Sequence, residues 1–429
     1  MKKQIVSIAL AATLIFALVP AVTVAAPTDV ITFPDSNFKE AVRDSIDKPT
    51  GPITQGDVSE VTELYVYNYD ISDLTGIEYF TALEYLDCGG NQLTKLDMSK
   101  NPALTTLYCN GVQLATLDVS KNAALTELYC GYSQLTALDV SNNTALEWLD
   151  CGNNQLTTLD VSKNAALTEL QCDNNQLTTL TVNAALTELQ CYDNQLTSLD
   201  VSKNAELTWL YCSGNQLATL DVSKNTALTK LYCWDNQLTT LDVSMNTTLE
   251  ELDCSGNQLT TLDVSNNTAL TWLNCYNNQL TALDLSKNTA LIGLWCYENQ
   301  LTALDVSMNT ALESLWCYNN YLPGKAAITG LDESRTKLFF DSQNAYRVEY
   351  YIGGLNKVPY RVLYVSSEEV YESRRLTPAN VKADTQKETS DWLNLYKPDN
   401  CGVALVSYPT ITGEKDKNVV KVLYMPIPQ

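Results

Sequence analysis

Twelve cysteines set the period of this chain: Cys88, Cys109, Cys130, Cys151, Cys172, Cys191, Cys212, Cys233, Cys254, Cys275, Cys296 and Cys317, separated by ten intervals of 21 residues and one of 19. A period of this length, held so strictly, marks units that cannot bury an apolar edge alone and fold only by stacking on one another. Around each cysteine the unit reads Leu-x-x-Leu-x-Cys-x-x-Asn-Gln-Leu-Thr-x-Leu-Asp-Val-Ser-x-Asn-x-Ala. Twelve units run from Leu83 to about Tyr321, after a degenerate one from Leu64 to Ile77. The shortened copy runs through Leu167, Leu170, Cys172, Asn175, Leu177, Leu180, Val182 and Asn183, and has lost two residues after Val182. The loss is expected to pinch one outer turn without moving that unit's strand.

In x-Leu-x-Cys-x the apolar residues alternate, which predicts a short strand with Leu and Cys inward and their neighbours outward. Leu-Asp-Val alternates on the opposite side with too few residues for a helix, so short strands or extended turns are expected there. The two Asn positions of each unit, such as Asn154 and Asn164, are placed to satisfy backbone groups at the bends. Twelve coils at a strand spacing of about 4.8 Å give a sheet on the order of 55 Å long. Residues 37–47 read as an amphipathic helix with Phe38, Ala41, Val42 and Ser45 on one face. Residues 53–58 begin a second short helix or turn, and Ile328 to Asn344 with Leu338-Phe339-Phe340 reads as a closing strand.

The unit resembles the leucine-rich repeat, with Cys in place of the third leucine of its Leu-x-x-Leu-x-Leu-x-x-Asn core. Because Leu-Thr-x-Leu-Asp-Val-Ser-x-Asn repeats the same grammar on the other half, it is similar to the nested 21-residue (IRREKO-type) class of bacterial proteins. The N-terminal segment with Ile71-Ser72-Asp73-Leu74-Thr75-Gly76-Ile77 resembles the cap and first repeat of internalin-like proteins. The resemblance implies a right-handed solenoid with a parallel β-sheet on its concave face, a mostly β or extended convex side and a helical N-terminal cap. The expected divisions are a signal peptide at 1–25, the cap at 26–63, leucine-rich repeats at 64–322, a C-terminal cap at 323–344 and a small β-rich module at 345–429.

Neighbouring cysteines on in-register parallel strands lie about a strand spacing apart, beyond the ~3.5–4.5 Å between Cβ atoms that a relaxed disulfide needs. The cysteines are therefore read as a structural ladder of small buried hydrophobes. No Cys-x-x-Cys pair is present to hold a metal, and no cofactor is expected. Cys401 stands outside the ladder. A second ladder comprises Asp97, Asp118, Asp139, Asp160, Asp200, Asp221, Asp242, Asp263, Asp284 and Asp305, with Thr181 breaking it. Stacked carboxylates repel. Hydrogen bonds from turn N–H groups with screening by Lys121, Lys163 and Lys203, or a row of calcium ions, are the two ways to offset that.

Charge and composition narrow the function. The chain of 429 residues has no histidine, which removes Ser-His-Asp and Cys-His nucleophile pairs and imidazole-ligated zinc. Its net charge of −23 opposes binding to nucleic acid or anionic lipid. The excess of acid is confined to residues 1–343, with 16 basic against 40 acidic residues, while 344–429 hold 11 and 10. Lys2 and Lys3, the apolar run Ile5 to Val19 and small residues at Ala21 to Ala26 read as an export signal cut after Ala25. An extracellular protein with no transmembrane segment after signal removal is expected. It would be held at the cell surface non-covalently, since no Leu-Pro-x-Thr-Gly anchor closes the chain.

Stacking dictates most repeat positions, but the outward strand positions are free to vary, and there aromatics collect. Trp148, Trp209, Tyr211, Tyr232, Trp234, Trp272, Tyr276, Trp295, Tyr297, Trp316 and Tyr318 are the candidate ligand-binding residues of the concave face, and six of the seven tryptophans lie on it. Glu127, Asp150, Glu169, Gln171, Glu188, Gln190, Glu251 and Asp253 are interleaved with them. Soluble proteins rarely leave such a row in water, and Trp and Tyr dominate binding hot spots. An extracellular protein partner on a host or microbial surface is the expected ligand, with a glycan as the alternative and a structural spacer of the cell envelope as a third reading. No acid pair sits in an evident pocket, so a binding protein is expected, not an enzyme.

From Ala345 the periodicity stops. Tyr346 to Ile352, Tyr360 to Val365 and Val419 to Tyr424 read as strands, and the first and last resemble the edges of mucin-binding-like β modules of Gram-positive surface proteins.

Overall fold

A computed structural model describes residues 29–340 throughout and four later strands by their backbone. The predicted export signal lies outside the described residues. The repeats wind into a parallel β-solenoid. Its concave side is a fourteen-stranded sheet running from Glu63–Tyr65 to Lys337–Phe339. Twelve of these strands are one per cysteine unit; the degenerate unit and the closing strand supply the other two. Each strand is three residues long and pairs in parallel with the next, so identical repeat positions stand side by side, as in Leu210↔Leu231 and Leu231↔Leu252.

The alternation holds at every coil. Leu and Cys point inward, and all twelve ladder cysteines are fully buried beside the leucines of both sides. They are free thiols. The convex side is extended turn for most of its length, with strands only at Thr158–Asp160 beside Thr179–Thr181 and at Leu304–Asp305 beside Ile328–Thr329.

Two asparagine ladders hold the bends. Asn154 Nδ2 donates to the carbonyls of Cys130 (3.0 Å) and Cys151 (3.1 Å), and its Oδ1 accepts the Leu135 N–H at 2.9 Å. Asn164 Nδ2 donates to Val140 and Asn143 carbonyls at 2.9 and 2.8 Å. Each amide thus ties its own coil to the one before.

The shortened copy behaves as its sequence predicts on the concave side: Glu169↔Glu188 and Leu170↔Leu189 keep register across the loss. On the convex side Leu180 and Val182 are left only partly buried, whereas their equivalents Leu159 and Val161 are buried.

The N-terminal end is covered by α1 (Ser36–Ser45) and α2 (Gln55–Val58). Phe38, Ala41 and Val42 of α1 are buried against the first coil. Ser45, expected on the same face, is exposed, because the helix ends there and Ile46 packs against the core instead. Asp35 caps α1, accepting from Asn37 and Phe38 N–H at 2.9 and 3.0 Å, and its other oxygen accepts from the Ser72 N–H at 2.8 Å. One carboxylate therefore both starts the helix and fastens it to the first turn.

Beyond residue 343, Asn344–Ile352, Arg361–Ser366, Cys401–Ser407 and Val419–Pro426 form a four-stranded sheet whose central pair, the first and last, runs parallel. The strand at Cys401–Ser407 was not legible in the sequence; the other three were.

Candidate binding surface

The eleven aromatics singled out above all lie on the concave sheet or at the start of the turn leaving it. They do not stand bare. Only Trp272, at 38% exposure, is open to solvent; the other ten are half-buried. Strand spacing is the reason: rings one coil apart are close enough to lean on one another, and they do so in three groups.

The first group rises from the N-terminal end as Tyr65, Tyr85, Tyr108, Tyr129 and Trp148, with Tyr108 and Tyr129 stacked at 4.1 Å. The second gathers Tyr192, Trp209, Tyr211, Tyr232 and Trp234, with Tyr192 on Tyr211 at 4.3 Å. The third has two parallel files: Trp272, Trp295, Trp316 and Phe339 in one, and Tyr276, Tyr297 and Tyr318 stacked at 4.4 and 4.5 Å in the other. Gly293 seats Trp272. A Cβ at residue 293 would lie 2.2 Å from the indole carbons, so the glycine lets that ring lie across the neighbouring strand.

Sequence reasoning missed the most accessible aromatics. Tyr65, Tyr67 and Tyr69 at the N-terminal end are 55%, 56% and 40% exposed, and Tyr132 is 67% exposed. The first three fall in the degenerate unit, where no cysteine marks the frame. Tyr132 sits two residues after a cysteine, a position that is left-handed in all twelve coils, with φ from 49° to 67°. Gly, Asn and Asp fill ten of those twelve sites, as the steric rule predicts; Tyr132 and Glu298 are the exceptions.

Carboxylates separate the aromatic groups. Between Trp148 and Trp209 lie Glu169 and Glu188, directly paired in register, with Asp150 and Asp173 beside them. Burial holds the Asp150 carboxyl above the usual carboxylate range, although the Gly152 N–H donates to it at 3.0 Å. Burial, then the neighbouring Glu188, raises Glu169 as well. Between Trp209 and Trp272 the same columns hold Lys230 and Glu251, which form an ion pair at 2.9 Å. Burial pushes Glu251 up, but the Tyr232 hydroxyl and Lys230 outweigh it and leave the carboxyl below its ordinary value. The Lys230 ammonium also lies 5.6 Å from the Trp209 ring centre.

The convex aspartates have a different job. In all ten, Oδ1 accepts the N–H of the serine two residues on at 2.9–3.0 Å. In the shortened coil that serine is missing, and so is the aspartate: Thr181 stands there instead. The turn bond explains why the two vary together. Among the described residues no group of three or more Cys, Asp or Glu is arranged to hold a metal ion.

No family model matches the sequence. A 70-residue stretch, 16% of this chain, is 39% identical to Internalin J of Listeria monocytogenes serotype 4b (strain F2365), and covers 8% of that protein. The solved functional domain of InlJ from Listeria monocytogenes, described as including a cysteine ladder, superposes with a TM-score of 0.61 at 29% identity, over 92% of this chain and 97% of that one. The solenoid is internalin-like. An internalin (inlF) from the same species superposes with a TM-score of 0.62 at 25% identity, over 72% of this chain and 98% of that one. The internalin-like solenoid of this chain carries its own cysteine ladder, with the thiols inside and the indoles on the concave face. Among the described residues no helix is long and apolar enough to cross a membrane.

Proposed function

We propose that the chain is an exported, surface-associated binding protein that holds a protein partner in the concave face of its solenoid. The observation that carries this reading is where the aromatics lie: in the columns that stacking leaves free, and hardly at all in the matching convex columns. A sheet that needed only stability could fill those columns with Thr and Val. Here they hold six tryptophans, one of them 38% exposed, bordered by carboxylates. Half-buried, mutually braced rings suit a docking surface because their rotamers are already fixed, so little conformational entropy remains to be lost on binding. The likeness to internalins supports a binding role over a catalytic one. On this reading residues 1–25 are a signal removed on export and residues 26–344 form the capped repeat domain.

Trp272→Ala in the full chain, compared with Asp242→Asn on the convex side, tests the reading in pull-downs from host-cell and bacterial surface extracts. The tryptophan variant is expected to weaken capture at least 30-fold, a loss of about 2 kcal/mol or more that marks a hot spot. The convex variant should capture as the parent does. Equal capture by all three folded proteins defeats the proposal, and release by free sugars transfers the site to a glycan.

A further inference from the structure

We propose, building on the concave-face reading, that the segment docked there is positively charged: a lysine- or arginine-bearing stretch of polypeptide laid along the solenoid, its cations between the aromatic groups.

From Tyr85 to Tyr318 the outward positions of the concave strands and the two residues following each cysteine hold eleven carboxylates and one ammonium, Lys230. That ammonium is already paired with Glu251. The chain's other repeat lysines, such as Lys121, Lys163, Lys203 and Lys287, lie on the convex side near the aspartate turns, so they do not neutralise this face. A low-dielectric concavity lined by one sign of charge concentrates its field and favours a partner of opposite sign.

The tryptophan column adds a comparison internal to the molecule. Trp148, Trp209 and Trp272 occupy the same repeat position three strands apart, which is roughly 14 Å at the usual strand spacing. The two intervals between them are equivalent in geometry and opposite in chemistry. One holds Lys230 and Glu251, where the ammonium meets a carboxylate at 2.9 Å and an indole face at 5.6 Å. The other holds Glu169 beside Glu188, like charges directly opposite on neighbouring strands, an arrangement that destabilises a sheet. Lys230 thus shows how this surface accommodates a cation, between a carboxylate and a tryptophan. The Glu169–Glu188 interval has the carboxylates and the flanking indoles of Trp148 and Trp209, but no cation of its own among the described residues. A cationic side chain from a partner completes it in the same way, through charge pairing and cation–π contact.

The test uses the full chain with decalysine, a neutral (Gly-Ser)5 peptide and decaglutamate, followed by calorimetry and tryptophan fluorescence at low salt. Decalysine alone is expected to bind. Glu169→Gln with Glu188→Gln should weaken it at least tenfold, while Asp200→Asn with Asp221→Asn, removing the same charge from the convex side, should change it less than twofold. The double glutamine variant relieves a repulsion, so its thermal midpoint should hold or rise; lost affinity then cannot be lost folding. Equal losses from the two double variants, or no decalysine binding, overturn the proposal. If that happens while Trp272→Ala still abolishes partner capture, the concave face stands as the docking surface and only the partner's basic character is refuted.

Discussion

At the residue scale, backbone conformation and burial decide what each repeat position tolerates. The residue two after each ladder cysteine is left-handed, and a non-glycine residue there carries steric strain of about 1 kcal/mol. Glu298→Gly should therefore stabilise the chain by roughly 0.5–1 kcal/mol, read as a higher urea midpoint. A lower midpoint would mean that the Glu298 side chain contributes more than its backbone costs. The cysteines make a second residue-scale prediction. Burial pushes the Cys109 and Cys212 thiols up to about 12. A thiol held neutral and out of solvent does not attack disulfide reagents. The twelve ladder cysteines should be silent to Ellman's reagent in the native protein and titrate together once it unfolds. The inward direction of these thiols could be read from Leu-x-Cys alternation alone. The left-handed site carries its own signature, Gly, Asn or Asp in ten of the twelve coils, which Tyr132 and Glu298 interrupt.

At the scale of the coil, hydrogen bonds between neighbours replace the long-range packing of a globular core. Asn215 donates to the carbonyls of Cys191 and Cys212 and accepts the Leu196 N–H through its Oδ1. Asn225 donates to Val201 and Asn204, and among the described residues no group meets its Oδ1. Asn215→Ala orphans the buried Leu196 N–H, while the Cys191 and Cys212 carbonyls keep Asn194 and Asn236 as donors, so it should cost about 2–3 kcal/mol; Asn225→Ala, whose acceptors keep backbone donors, should cost about 1–2 kcal/mol. Equal losses in chemical denaturation would show that the two ladders do not differ in this way. The period made the coil legible, down to the preserved register at the shortened copy. What it concealed was the state of the aromatic row. Sequence placed the rings on the right face but left them bare, because ring-to-ring contact depends on rotamers that a repeat pattern does not encode. Gly293 beneath Trp272 is the clearest case: the one outward position without a side chain in that stretch is where the neighbouring indole lies.

At the scale of the whole molecule, buried aspartates of the concave face and turn aspartates of the convex face are shifted in opposite directions. On the concave side burial raises Asp87, Asp150, Asp193 and Asp253 above the ordinary carboxylate value of 3.8. On the convex side the serine N–H and hydroxyl hold Asp97, Asp139 and Asp160 below it. Between the raised values and 3.8 the native state binds more protons than the unfolded chain at the concave acids, so stability rises as pH falls through that window. Below 3.8 the convex acids reverse the sign, because they are protonated in the unfolded chain before the native one. The thermal midpoint should therefore climb as pH falls from neutrality through the raised carboxyls toward 3.8, and drop below it. A midpoint that falls steadily from neutrality would show that the concave acids are not held up by burial.

The same division into faces carries the functional account. Hydroxyl-radical footprinting of the full chain, alone and with its captured partner, reads side-chain accessibility ring by ring. The account predicts protection of Trp272, Tyr132 and the tyrosines of the concave files, with Met245 and Met308 of the outer turns labelled equally in both states. Protection of those methionines with Trp272 left open would place the partner on the wrong side of the solenoid and contradict it.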